Sequence, residues 1–269
     1  MNILFLGDIY GRSGRDAVKK YLPHLKEKLK PDVIIANVEN AAHGFGVTPT
    51  IAKELFSYGI DVMTTGNHVW DQKDIIPYSN NEPRFLRPLN YPKGTPGQGA
   101  VRIRTKTQED ILVINVMGRV FMDPLDDPFY CVKNILETHT LKTQNLGAIF
   151  IDIHAETTSE KYAMAHYVDG KVTAVVGTHT HIPTADAQIL SGGTAIQADA
   201  GMCGDYNSVI GVKHTIPVER FVKKMPTDKF SPAEGLATLC GTYIETNPET
   251  GLAQHIRPIR IGPRLIESL

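Results

Sequence analysis

Short apolar runs alternate with amphipathic stretches through the first 66 residues, and this alternation constrains the fold more than any other feature of the chain. Asn2–Leu6 is a buried β-type run that stops at Gly7-Asp8. Gly11 and Gly14 loosen the loop that follows. Ser13 is the expected cap of a helix reaching about Leu29, because Ala17, Val18, Tyr21, Leu22, Leu25 and Leu29 recur at helical spacing with lysines opposite. Pro31 ends that helix. A second strand is expected over 32–39 and a glycine-bearing loop over 40–47. Thr48-Pro49 is a capping hydroxyl followed by proline at the first helical position, and Gly59 stops the helix it opens. A third strand over 60–66 completes the order βαβαβ. Strands this continuously apolar predict a parallel sheet covered by helices on both faces.

Residues 71–99 break the pattern. Pro77, Pro83, Pro88, Pro92 and Pro96, with several asparagines, predict a long surface excursion of the kind that serves as a lid or rim. Beyond it, 100–104 and 111–117 read as a hairpin pair and 126–138 as a helix. A buried strand follows over 148–154, then a helix over 157–167 capped by Thr157 or Thr158. Residues 172–177 form another buried strand. Strands are expected over 188–198 and 238–245, the latter paired with 255–261, and a short helix over 218–223. No repeat, low-complexity tract or linker interrupts the chain, so 1–269 reads as a single α/β domain with two sheets packed together and helices outside.

Charge narrows the partners. Lys+Arg 28 against Asp+Glu 29 leaves a net charge of −1, which provides no electrostatic footprint for duplex nucleic acid or a membrane surface. The segment Met1–Asp8 lacks the basic region and apolar length of a signal peptide, and no apolar run reaches bilayer length. Cys131, Cys203 and Cys240 are odd in number, far apart and without a CxxC spacing, which predicts free thiols in a reducing, cytoplasmic compartment.

The first polar residues after the apolar strands carry the chemistry: Asp8, Glu39 with Asn40, Asn67 with His68, His154, and His179 with His181. Ligands in open α/β folds bind outside the carboxyl ends of parallel strands. These side chains are therefore expected at one edge of the molecule. Any one of them alone reads as a turn or cap residue, but their joint fall at strand ends does not. His179 and His181, two apart on an extended segment, point the same way. Carboxylate, amide and imidazole donors without cysteine suit Fe, Mn, Zn or Co, and they outnumber the needs of one ion. A two-metal site, with ions about 3.5–4 Å apart, activates water near neutral pH and clamps a phosphoryl group for in-line attack. Such a centre also attacks carbonyls, so a dinuclear amidohydrolase or peptidase stands as the alternative enzyme. A regulatory RNA- or partner-binding protein retaining the metal site is the alternative outside enzymes.

Gly7-Asp8, Gly66-Asn67-His68, His154 and Gly177-Thr-His179-Thr-His181 resemble the blocks of the calcineurin-like metallophosphoesterase superfamily. Two departures stand out. Tyr10 occupies the position of a usual histidine ligand, and Asn37-Val-Glu39-Asn40 replaces the block with the bridging aspartate. With these, Gly7–Arg15, Asn37–Gly44, Thr65–Asp71 and Asp199–Asp205 resemble the YmdB-type bacterial phosphodiesterases over essentially the whole chain. The resemblance implies a four-layer αββα sandwich of two mixed sheets flanked by helices. It implies that Asp8, Asn40 and His181 hold one ion, that Asn67, His154 and His179 hold the other, and that Glu39 bridges them. His68, beside the ligands, would protonate the leaving oxygen. Iron or manganese is the implied metal, and small phosphodiesters such as 2′,3′-cyclic AMP are the implied substrates.

Further candidates follow. Arg12 and Arg15 are candidates for the substrate phosphate, or else a surface pair on the first helical turn. His43 sits in the glycine-bearing loop beside Glu39, and Gly201–Gly204, with Cys203, is a candidate pocket wall. Cys203 as a nucleophile lacks any base partner. Trp70 and Tyr206 are candidates for base stacking, against core or rim packing. Arg102, Arg104 and Lys106 read as the solvated face of the hairpin. Arg84, Arg87 and Lys93 would border the cleft or a subunit contact, and a homo-oligomer is the expected assembly.

Overall fold

The computed structural model describes residues 1–269. Its strands, in chain order, are β1 (Asn2–Leu6), β2 (Asp8–Ile9), β3 (Val33–Asn37), β4 (Val62–Thr64), β5 (Ala100–Arg104), β6 (Asp110–Met117), β7 (Leu146–His154), β8 (Ala174–Thr178), β9 (Gln188–Ile189), β10 (Ala195–Gln197), β11 (Met202–Cys203), β12 (Leu239–Thr246) and β13 (Ala253–Ile261). The helices are α1 (Gly11–Leu29), α2 (Pro49–Ser57), α3 (Ile75–Ser79), α4 (Pro128–Leu136), α5 (Thr158–Tyr167) and α6 (Thr215–Lys223).

Two mixed sheets carry the fold. The first has the order β13-β12-β1-β3-β4 and the second β5-β6-β7-β8-β10-β9, while β11 and β2 pair separately. The predicted βαβαβ unit is present, with β1, β3 and β4 parallel. Its edge is closed by antiparallel β12, which lies against β1 and itself pairs with β13. The β5–β6 hairpin is antiparallel, as its alternation predicts.

The strands are apolar on both faces because each face meets a different core. Ile3 and Phe5 of β1, with Val33 and Ile35 of β3, share one core with Val113 of β6 and Ala148 and Phe150 of β7, so the two sheets meet there. The rings of Phe5 and Phe150 are 5.0 Å apart across that seam. The alternate residues Leu4, Leu6, Ile34 and Ala36 face Val18, Leu22 and Leu25 of α1 and Leu55 of α2. On the second sheet, Ile149, Ile151 and Ile153 face Val132 of α4 and Met164 of α5.

Several local expectations differ from the structure. The helix α1 begins at Gly11 without a side-chain cap, because the Ser13 hydroxyl donates instead to the Ala233 carbonyl at 3.0 Å. Thr157 stands at the N-cap of α5 but accepts nothing, whereas Thr48 caps α2 by accepting from Ile51 N, as expected. The single strand expected over 188–198 is two short strands, β9 and β10, folded back on each other at Gly192-Gly193. The excursion over 71–99 is not purely superficial. It contains α3, and Ile75, Phe85 and Leu86 are fully buried. Arg87, expected at the cleft or a subunit contact, is instead the buried centre of this segment. Its guanidinium donates to the carbonyls of Pro88 at 2.8 Å and Pro96 at 3.2 Å. Arg102 and Arg104 do project from the hairpin, but both are tied to Asp110. No helix is long and apolar enough to cross a membrane.

Candidate active site

Asp8 follows β1, Glu39 and Asn40 follow β3, and Asn67 and His68 follow β4. His154 closes β7, and His179 and His181 follow β8. The first three groups come from one sheet and the last two from the other, so the site lies where the two carboxyl edges meet.

The surroundings of each imidazole fix its tautomer. His181 Nδ1 lies 2.8 Å from the Ile210 carbonyl, which only accepts, so Nδ1 carries the proton and Nε2 a lone pair. His179 Nε2 lies 3.1 Å from Glu156 Oε2, which leaves the lone pair on Nδ1. His154 Nδ1 lies 2.9 Å from Thr178 Oγ1. That hydroxyl donates to Asp152 Oδ1 at 2.8 Å, so it accepts from the ring and His154 Nε2 bears the lone pair. Outer partners of this kind orient a ring for metal binding.

The inward atoms are therefore acceptors facing acceptors. His154 Nε2 has Glu39 Oε1 at 3.1 Å, Asn67 Oδ1 at 3.0 Å and His179 Nδ1 at 3.0 Å. Asp8 is fully buried; its Oδ2 accepts from His179 N at 3.2 Å, and its Oδ1 has no hydrogen-bond partner at all. An orphaned buried carboxylate oxygen among inward lone pairs is stable only around positive charge. The ionisation pattern shows the same demand for positive charge, which in the protein alone is met by a proton on His154 Nε2. Burial works to discharge the His154 ring, yet the Glu39 and Asp8 carboxylates push its pKa up to about 9. Burial would raise Glu39, but His154 overrides it and draws Glu39 down to about 2. Burial, with His154 beside it, pushes His179 down to about 3, leaving that ring neutral. Glu39, His154 and His179 bring ligand atoms within 4.8 Å of one another. Oxygen and imidazole donors without sulfur fit the transition metals expected from the sequence.

Asn40 differs in detail from that expectation. It is buried at the site, but its amide nitrogen is turned inward, 3.2 Å from Glu39 Oε1 and 3.1 Å from His181 Nε2. A half-turn about its last torsion would exchange that nitrogen for Oδ1.

Two backbone features hold these side chains. At Gly66 a Cβ would stand 2.1 Å from His154 Cδ2 and 2.4 Å from Glu39 Oε2, so only glycine lets the chain pass. His179 and His181 both adopt left-handed backbone, with φ 100 and φ 66, which costs a non-glycine residue on the order of 1–3 kcal/mol. The residue between them, Thr180, is clamped. Its N–H and its hydroxyl donate to Asp199 Oδ2 at 3.0 and 2.8 Å, while Asp199 Oδ1 accepts from Gly201 N at 2.8 Å. The Asp199 charge is met at 2.9 Å by Lys161 of α5, and both side chains are essentially inaccessible.

His68 stands apart from the ligand cluster. Its N–H donates to Glu39 Oε2 at 3.1 Å, its Nδ1 lies 2.8 Å from Asp71 Oδ2, and Phe45 packs edge-on at 5.0 Å. It lines a cavity of about 300 Å³ with Tyr10, Glu39, Asn40, His179 and His181.

Other sequence candidates are not brought there. Arg12 is exposed and pairs with Asp16 at 3.9 Å beside a different groove, and Arg15 donates to the Ala41 carbonyl at 2.6 Å. His43 is exposed, outside the cavity lining. Cys203 is buried beneath the site, with its thiol on the Cys240 carbonyl at 3.3 Å and its pKa pushed well up by burial. Trp70 packs against Tyr91 and the core, and Tyr206 pins the His181 carbonyl at 3.0 Å, so neither offers a free stacking face. Phe45, Ile210 and Phe230, which stand in the cavity wall, carry no signal of that role in the sequence. Glu156 was within reach of a sequence argument, two residues past His154 in an exposed loop.

A family model described as "YmdB-like protein" matches residues 4–259. The 2′,3′-cyclic-nucleotide 2′-phosphodiesterase of Bacillus subtilis is 45% identical over 262 residues, covering 97% of each chain. Two crystal structures superpose closely. A hypothetical protein from Thermus thermophilus matches with TM-score 0.90 at 40% identity, covering 98% of this chain and 100% of its own. A Mycoplasma pneumoniae protein titled a novel phosphatase matches with TM-score 0.89 at 33% identity, covering 97% and 93%. The chain belongs to the YmdB-like family.

Proposed function

We propose that the protein is a metal-dependent phosphodiesterase acting on small phosphodiesters, cyclic nucleotides such as 2′,3′-cyclic AMP among them. The observation that carries this reading is the ring of inward lone pairs around the unpartnered Asp8 Oδ1, opening onto a cavity lined by His68. Relatives named as a phosphodiesterase and a phosphatase support the reaction class.

In this reading Asp8, Asn40 and His181 hold one ion, Asn67, His154 and His179 a second, and Glu39 both, with iron or manganese as the metal. Two ions bound there supply Lewis acidity and activate water as the nucleophile. The chain's own residues do the rest. The Thr178, Glu156 and Ile210 acceptors keep the three rings in the tautomers that present lone pairs. His68 gives its Nε2 proton to the departing oxygen while Asp71, at Nδ1, stabilises the charged ring before transfer. Hydrolysis adds water's hydroxyl to phosphorus and a proton to the alkoxide, so atoms and charge balance. The three separate apolar cores support a four-layer αββα arrangement over one domain, 1–269.

The test is turnover by the purified protein, loaded with Mn²⁺ or Fe²⁺, of bis-p-nitrophenyl phosphate and 2′,3′-cyclic AMP, beside amide and ester substrates. Turnover of diesters alone is the expected result. Turnover of amides alone would assign the centre to an amidohydrolase. His68→Ala should lower kcat by about 10²–10⁴-fold with bound metal unchanged.

A further inference from the structure

A second groove adjoins the cavity just described. It has a volume of about 700 Å³ and lies between α6 and the loop at 209–212. Ile210, Val212 and Phe230 line both spaces, so the two adjoin along these side chains. The cavity over the ligand cluster, at about 300 Å³, is at the small end of about 300–1,000 Å³ for small-molecule sites. A phosphodiester seated there has to extend its remaining groups outward, and the adjoining groove is where the wall leads.

The lining of the groove is selective. Most of it is apolar, with Phe221 and Phe230 as its rings. Its only charged residues are Arg220 and Lys224, both positive, and neither has a carboxylate within ion-pair distance. Each cation is instead held over a ring. The Arg220 guanidinium sits 5.3 Å from the Phe230 centroid and the Lys224 ammonium 5.3 Å from that of Phe221. Phe221, Met225 and Ile210 are 70%, 62% and 47% exposed, a cluster of large apolar side chains left open to solvent along the groove. Aromatic faces that stack a base beside unpaired cations that meet a phosphate are the composition of a nucleotide site.

We propose that this groove is the nucleotide subsite of the enzyme. The base lies against Phe221 and Phe230, and Arg220 with Lys224 takes a phosphate other than the scissile one. The favoured substrate is then a 2′,3′-cyclic phosphate at the end of a di- or oligonucleotide rather than a cyclic mononucleotide. The substrate assignment rests on the phosphodiesterase reading; the binding site does not.

The test therefore begins without catalysis. Calorimetric titration of the metal-chelated protein with 5′-AMP should give binding that weakens about tenfold for each charge removed in Arg220→Gln and Lys224→Gln. Phe221→Ala should weaken it comparably. Phe221→Trp, at an exposed position, should retain or strengthen it and report it by quenching of the new indole. Absence of 5′-AMP binding, or affinity indifferent to Arg220→Gln, Lys224→Gln and Phe221→Ala, overturns the subsite whatever the enzyme hydrolyses. With metal restored, adenylyl-adenosine ending in a 2′,3′-cyclic phosphate should exceed 2′,3′-cyclic AMP in kcat/KM by about tenfold, and the Arg220→Gln, Lys224→Gln double variant should erase that ratio. Equal kcat/KM for the two in the wild type overturns the substrate assignment. Failure to hydrolyse any diester, with 5′-AMP binding intact, refutes the phosphodiesterase reading instead. A mass by light scattering that falls on Phe221→Ala while 5′-AMP affinity holds would make the groove a contact between copies and overturn the proposal.

Discussion

Replacing Lys161 by Met tests whether the histidine loop is held by the ion pair beneath it. Lys161 Nζ and Asp199 Oδ2 are 2.9 Å apart with both side chains inaccessible to solvent. Removing one member of such a pair leaves an uncompensated buried charge and costs about 3–5 kcal/mol. Against a total stability of about 5–15 kcal/mol, that is a large fraction. At about 2–4 °C per kcal/mol for a chain of this size class, the midpoint should fall by roughly 6–20 °C. Asp199 also accepts both Thr180 bonds, so the loss reaches the two left-handed histidines on either side. The assay is thermal unfolding followed by circular dichroism at neutral pH, paired with Mn²⁺ titration of the folded protein. Metal affinity should drop together with the midpoint. Lys161→Met with Asp199→Leu, which removes both charges, should recover much of the midpoint but not the metal affinity, because Thr180 stays unclamped. A fall below about 3 °C in the single variant, with unchanged metal affinity, would refute the reasoning.

Gly66→Ala should abolish metal binding at little cost to the rest of the fold, since the added carbon meets the His154 ring and Glu39; retention of full metal content in elemental analysis would contradict this. Burial raises the Asp61 pKa above its ordinary 3.8 while its Oδ2 accepts from Ile34 N at 2.8 Å. An ionised carboxylate with a raised folded pKa destabilises at high pH, and the penalty fades as pH falls through the folded value toward the unfolded one. Asp61→Asn, which keeps the acceptor, should therefore raise the melting midpoint at pH 7, with the gain shrinking toward pH 4; a gain independent of pH would count against it. Cys203 and Cys240 are buried with pKa values pushed up, Cys240 to about 12, so a thiol reagent should reach at most Cys131 in the native protein and all three cysteines after denaturation.

The site was more legible in the sequence than the surface around it. A strand apolar on both faces has one place to put its first polar residue, so the ends at Asp8, Glu39, Asn67, His154 and His179 marked an edge before any pairing was known. Arg12 failed as a substrate candidate because its position one residue into α1 turns it outward, and no periodicity reports that. Arg87 failed for a different reason. A guanidinium satisfied by backbone carbonyls leaves no complementary acid in the sequence to find. The Ser13 cap was outcompeted by a carbonyl 220 positions away, at Ala233, a contact that local pattern cannot contain. The groove beside α6 was invisible for the same reason, since its rings at Phe221 and Phe230 acquire meaning only from the loop at 209–212 packed across them.

The position of β12 has a consequence for how the chain is made. β1 is flanked by β3 on one side and by residues 239–246 on the other, with Leu6 opposite Gly241. Leu6, which leads into Asp8, therefore waits on a partner that leaves the ribosome more than 230 residues later, long after the helices around it are available. During that interval β1 presents an open apolar edge, the kind of surface that pairs with the wrong strand or with another chain. A nascent chain halted before 239 should be held by chaperones or degraded rather than accumulate as a partly active enzyme. The strand that leads into Asp8 is closed on both sides only once residues 239–246 have been made.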